Sequence, residues 1–66
     1  MSSTMGQIIK NLRTKNGFTQ EELAERLGVT YQAVSKWENN TGMPDISQVV
    51  PLASIFGVST DVLFGI

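Results

Sequence analysis

The chain predicts an all-α fold: a compact five-helix bundle with a helix-turn-helix at residues 19–39. Three observations lead there. Apolar residues recur three and four positions apart in short segments, as on the inward face of amphipathic helices. A capping residue, Thr4, Thr19, Thr30, Asp45 or Ser59, precedes each segment. Turn formers, Asn16-Gly17, Gly28, residues 39–42 and Gly57, separate them.

The first helix is expected over residues 5–15. Met5, Ile8, Ile9 and Leu12 follow the i, i+3, i+4, i+7 pattern, and Thr4 with Gln7 has the spacing of a capping box. Asn16-Gly17 ends it, because both residues tolerate positive φ. Phe18 then falls at the position before the next cap, suited to pack on Leu23 as a hydrophobic staple.

The second helix is expected over residues 20–27. Thr19 and Glu22 form another capping box, and Glu21 and Glu22 favour the positive end of the helix dipole. Leu23, Ala24 and Leu27 face inward, and Gly28 supplies the left-handed residue of a sharp turn. The third helix is expected over residues 31–39 behind Thr30. At about 100° per residue, Val34, Trp37 and Glu38 share one side, and Gln32, Ser35, Lys36 and Asn39 the other. The first set predicts core and the second a contact face.

A fourth helix over residues 46–56, capped by Asp45, carries Ile46, Val49, Val50, Leu52, Ala53 and Phe56 and is expected to be central. Pro51 conflicts with a helix interior, so a start at Ser47 or a kink at the proline is expected. A short fifth helix follows over residues 60–64, with Ser59 as cap and Asp61 in its first turn. Residues 1–4 are expected to be a disordered leader, and residues 5–66 one domain. The chain ends after an apolar run, which suggests a module of a longer protein.

Composition narrows the function. At 66 residues there is room for one small domain. The chain has no cysteine and no histidine, which removes disulfides, thiolate chemistry and the usual zinc ligands. No apolar run approaches the ~20 residues of a membrane span, and a cytoplasmic location is expected. No nucleophile–base pair, metal set or phosphate-binding glycine loop is present, so neither an enzyme nor a cofactor is expected.

The spacing of Gln20, Ala24, Gly28 and Val34-Ser35 resembles the phage repressor and Cro type of helix-turn-helix, shared by bacterial xenobiotic-response-element-type regulators. The likeness extends through LRTKNGFTQEELAERLGVT, Trp37-Glu38-Asn39, the Gly42-x-Pro44 loop, Leu52-Ala53 and Phe56-Gly57-Val58-Ser59, covering most of residues 5–64. It implies a lambda-repressor-like DNA-binding domain acting as a homodimer on a near-palindromic double-stranded operator, as a transcriptional regulator and foremost a repressor.

The resemblance places Thr30, Tyr31, Gln32, Ser35 and Lys36 toward base edges. The chemistry suits them: a carboxamide pairs bidentately with adenine, and an ammonium donates to guanine or to a phosphate. Tyr31 lies on the border of the core and could equally cover Val34. The resemblance also places Thr19 and Gln20 beside the DNA backbone, where open helix N–H groups suit a phosphate. Asn39, Asn40, Thr41 and the Gly42 amide are further phosphate candidates. Arg13 and Glu38 are implied to form a structural ion pair. Phe64 and Ile66 are candidates for a dimer contact, or lead into a further segment.

The charge argues the other way. Net charge is −1 and the pI about 5.1, where nucleic-acid-binding domains often exceed a pI of about 9. Residues 39–42 carry no lysine or arginine, unlike many relatives of this type. The alternative is therefore a protein-interaction module that keeps the fold with little DNA affinity.

Overall fold

Short helices in water are marginal, and their ends need partners. Here those partners are local. The computed structural model describes residues 4–66 and contains α1 (Met5–Lys15), α2 (Gln20–Leu27), α3 (Tyr31–Glu38), α4 (Ile46–Phe56) and α5 (Thr60–Phe64). Thr4 and Thr19 form reciprocal capping boxes with Gln7 and Glu22. Thr4 is thus the cap of α1; the rest of the expected leader lies outside the described residues. Asp45 accepts from the Ser47 N–H at 3.1 Å and from the Ser47 hydroxyl at 2.7 Å. Ser59 departs from expectation: its backbone is extended, as a cap requires, but its hydroxyl makes no capping hydrogen bond.

All five helices end in the same paired-bond turn, with N–H groups just past the end reaching back to carbonyls of the last turn. Glycine fills the left-handed position of four of these turns, including Gly28 between α2 and α3 at φ 73°. The turn after α3 uses Asn40 instead, at φ 60°. The Asn40 N–H donates to Trp37 and the Thr41 N–H to Lys36. This stops α3 at Glu38, one residue earlier than expected, with Asn39 as its cap.

α3 packs on α1 and α2, α5 packs on α1 and α4, and α2 meets α4. Ile9, Leu23, Ala24, Val34, Trp37, Val49, Leu52, Ala53, Phe56 and Leu63 close the core between them. Phe18 packs half-buried against this cluster, and the Arg26 guanidinium lies over its ring at 4.6 Å. α4 corrects the sequence expectation. Val49, Leu52, Ala53 and Phe56 are buried, but Ile46 and Val50 are 76% and 65% exposed. Only one face of α4 meets other helices; its apolar surplus faces water. The helix starts at Ile46, not Ser47, and runs through Pro51. Pro51 and Ser47, whose carbonyl loses an N–H partner, are both on the exposed side, so water can take that bond.

Gly6 is a buried residue that the periodicity did not single out. A Cβ there would collide with the Trp37 carbonyl oxygen and lie 2.7 Å from Asn40 Oδ1. The absent side chain lets the start of α1 seat against the end of α3.

Candidate nucleic-acid interface

α3 is held on one face and bare on the other. Val34, Trp37 and Glu38 are buried, whereas Gln32 and Lys36 are exposed. Gln32 and Lys36 stand four residues apart and so lie one above the other on the helix surface. Tyr31, 49% exposed, stands four residues before Ser35 in the neighbouring row. Thr30 is exposed too, and its hydroxyl accepts the Ala33 N–H at 3.3 Å. Ser35 is half-buried and accepts a long, 3.4 Å bond from Asn39 Nδ2. The five residues expected to face bases thus fall on or beside one open surface, with Gln32 and Lys36 the least engaged.

Beneath that surface sits Glu38, which anchors α3 by polar bonds. Its Oε2 accepts from Arg13 Nε at 2.6 Å, and its Oε1 accepts from Arg13 Nη2 at 3.0 Å and Gln20 Nε2 at 3.1 Å. Arg13 Nη1 also donates to the Phe18 carbonyl at 2.7 Å. The hydrogen bond to Glu38 raises the Arg13 pKa above its usual value, against the opposing effect of burial. One carboxylate therefore joins α1, α2 and α3.

The residues expected near phosphates divide. Asn39, Asn40 and Thr41 are exposed along the turn after α3. Thr41 Oγ1 lies 3.4 Å from the Lys36 carbonyl, and Asn40 Oδ1 faces Gly6. At the start of α2, Thr19 Oγ1 accepts the Glu22 N–H at 3.0 Å, and Glu22 Oε1 accepts the Thr19 N–H at 2.9 Å. The bonds with Thr19 hold Glu22 below its ordinary pKa. The capping box thus occupies two of the N–H groups an anion could use and adds a charge that opposes one. Gln20, half-buried, turns its amide toward Glu38. The sequence signals the capping box but not this competition, which appears only when donors are assigned.

Phe64 and Ile66 are 47% and 88% exposed, with Val62 beside them at 40%. Among the described residues, no group of three His, Cys, Asp or Glu could hold a metal ion, and no helix is long and apolar enough to cross a membrane.

Two short helices joined by a left-handed glycine, with the second anchored on its inner face and polar on its outer face, define a helix-turn-helix protein. A helix-turn-helix family model matches residues 9–63, and the chain belongs to that family, in its phage repressor and Cro type. Over 58 residues it is 40% identical to the SPbeta prophage-derived uncharacterized HTH-type transcriptional regulator YonR of Bacillus subtilis (strain 168), covering 88% of this chain and 54% of that protein. The HTH-type transcriptional regulator ImmR of the same organism is 36% identical over 62 residues, 94% of this chain and 49% of its own. The chain thus spans about half the length of these curated relatives. In structure it is similar to the P22 c2 repressor, solved in complex with a synthetic operator, with a TM-score of 0.88, 29% identity and 94% of each chain covered. The repressor-like five-helix fold expected from sequence is the fold observed.

Proposed function

We propose that this chain is the operator-reading domain of a transcriptional regulator, foremost a repressor, that binds double-stranded DNA as a homodimer. α3 enters the major groove, with Thr30, Tyr31, Gln32, Ser35 and Lys36 toward base edges. The observation that carries this is the open row of Gln32 and Lys36 on a helix whose opposite face is buried. The family's regulators, and the similar repressor bound to its operator, support it. Thr19, Asn39, Asn40, Thr41 and the Gly42 amide are the proposed backbone contacts. The role is that of a binding protein, not an enzyme, in the cytoplasm of a bacterial or phage-infected cell.

Size and charge support dimerisation. The domain measures 29 × 24 × 23 Å, so two copies can sit side by side on half-sites about 34 Å apart. A near-palindromic operator matches that two-fold arrangement. Val62, Phe64 and Ile66 give the copies an apolar surface to share. With net charge −1, a single copy gains little from the phosphate field, and pairing supplies the missing affinity.

Selection of bound sequences from a random pool of duplex DNA tests the proposal. A two-fold-symmetric consensus is expected, bound two chains per duplex, and Gln32→Ala and Lys36→Ala should weaken it without unfolding the domain. Operator affinity unchanged in both variants would overturn it. The acidic pI and the base-free loop at residues 39–42 favour a second reading, a protein-interaction module. No enrichment from the pool, together with salt-resistant retention of a protein partner, would select it.

A further inference from the structure

We propose that Gln20 is a positioning residue for α3: its hydrogen bond to Glu38 sets the roll of the reading helix and, through it, the base preference. The inference rests on the DNA-reading role proposed above.

α2 and α3 share an apolar contact in which Leu23 and Ala24 are buried in one cluster with Val34 and Trp37. Close-packed apolar contact limits the roll of α3 coarsely, and directional polar bonds narrow it further. The ion pair adds direction but comes from α1, through Arg13. A carboxylate tied from one helix alone can still pivot about that tie. Gln20 supplies the second tie, from α2, to the same Oε1 that Arg13 Nη2 already engages. Glu38 is 8% exposed and Gln20 half-buried, so water competes poorly for the bond.

Gln32 and Lys36 extend from the far side of the same two turns, so a small roll at Glu38 displaces both. Base-edge recognition needs groups held to within about 0.5 Å and 10–20°. Gln20 stands at the start of α2, where sequence resemblance places a phosphate contact. The observed bond points its amide inward, which assigns it to geometry instead.

The test uses the full-length protein and DNA selected by the wild type. Gln20→Met keeps side-chain length and removes the donor. Gln20→Leu also removes it without placing a charge beside Glu38, so it serves if the first variant fails to fold. Affinity for the selected duplex and for a scrambled duplex is measured well below each unfolding midpoint. Operator phosphates are ethylated one at a time in parallel. The ratio of the two affinities should fall about tenfold, the scale of one mispositioned base contact, with scrambled binding nearly unchanged and the same phosphates remaining sensitive. An equal loss on both duplexes, with one phosphate dropping out of the ethylation pattern, would make Gln20 a phosphate ligand and overturn the proposal. An unchanged ratio with only a lower unfolding midpoint would also overturn it, reducing Gln20 to a brace. Wild type that enriches no DNA would instead defeat the DNA-reading role itself.

Discussion

Glu38 receives Arg13 as a two-pronged partner, Nε to Oε2 at 2.6 Å and Nη2 to Oε1 at 3.0 Å, with the side chains only 2% and 12% exposed. A buried pair of this kind is costly to break from one side, because the remaining charge loses its oppositely charged partner and keeps only a neutral hydrogen bond. Arg13→Met is expected to lower stability by about 3–5 kcal/mol. Replacing both residues by apolar ones of similar volume should recover much of that loss. Urea unfolding of Arg13→Met, Glu38→Met and the double variant checks it. A double variant as unstable as the sum of the singles would show that the ion pair is not the origin of the effect.

The seat of α1 on α3 gives a second expectation. Gly6→Ala places a methyl against the Trp37 carbonyl and Asn40 Oδ1, and should cost about 1–3 kcal/mol as overpacking does. Asn40→Ala puts a residue poorly suited to positive φ at φ 60° and should cost about 1–2 kcal/mol. Asn40→Gly should be tolerated. Equal losses for the alanine and glycine variants, by thermal or urea unfolding, would move the role of Asn40 from backbone conformation to side-chain contact.

α4 separates what periodicity reveals from what packing decides. Val49 is 4% exposed and Val50 65%, although both are valines in the same helix. Val49→Thr should cost more than about 1 kcal/mol by burying a hydroxyl in place of a methyl, and Val50→Thr should stay within about 0.5 kcal/mol. Unfolding midpoints of the pair give the comparison directly.

The same contrast locates the limit of the sequence. Caps, turn glycines and the inward stripes of α1, α2 and α3 are written in local spacing, because they depend on neighbours within a turn or two. The division of α3 into Val34, Trp37 and Glu38 against Gln32 and Lys36 follows from helical phase alone, and burial agrees with it. The exposure of Ile46 and Val50 was not legible, because α4 is apolar nearly all round and phase cannot say which face finds a partner. The closeness of Gly6 to Trp37 and the bond from Gln20 to Glu38 join residues 31 and 18 positions apart. No local pattern encodes either.

Acid should weaken the fold through its caps. Bonds from Thr19 hold Glu22, and bonds from Ser47 hold Asp45, below their ordinary carboxylate values. A carboxylate with a lowered folded-state pKa stabilises above its unfolded pKa, and that contribution disappears as pH falls through the folded value. The unfolding midpoint should therefore drop below about pH 4. Glu22→Gln keeps the capping-box acceptor and removes the titration. It should change little at neutral pH and show a smaller decline in acid. An identical acid decline in the variant would assign the effect elsewhere.

The base-free turn at residues 39–42 makes the salt dependence of DNA binding the most direct measure of this interface. Each phosphate neutralised by a cation adds about 0.9 to the slope of log affinity against log salt. With Lys36 the one cation among the proposed DNA contacts, the slope per half-site should be shallow. If Lys36 contacts a phosphate, Lys36→Ala should reduce it further, by about 0.9 per half-site; if Lys36 instead reads guanine, the loss should concentrate at one base pair. Thr41 is exposed beside this turn and can carry a new charge. Thr41→Lys should steepen the slope by about the same amount and tighten selected and scrambled DNA alike, since a phosphate contact carries no sequence information. A lysine there that leaves the slope untouched would place the turn away from the backbone and remove Asn39, Asn40 and Thr41 from the proposed contacts.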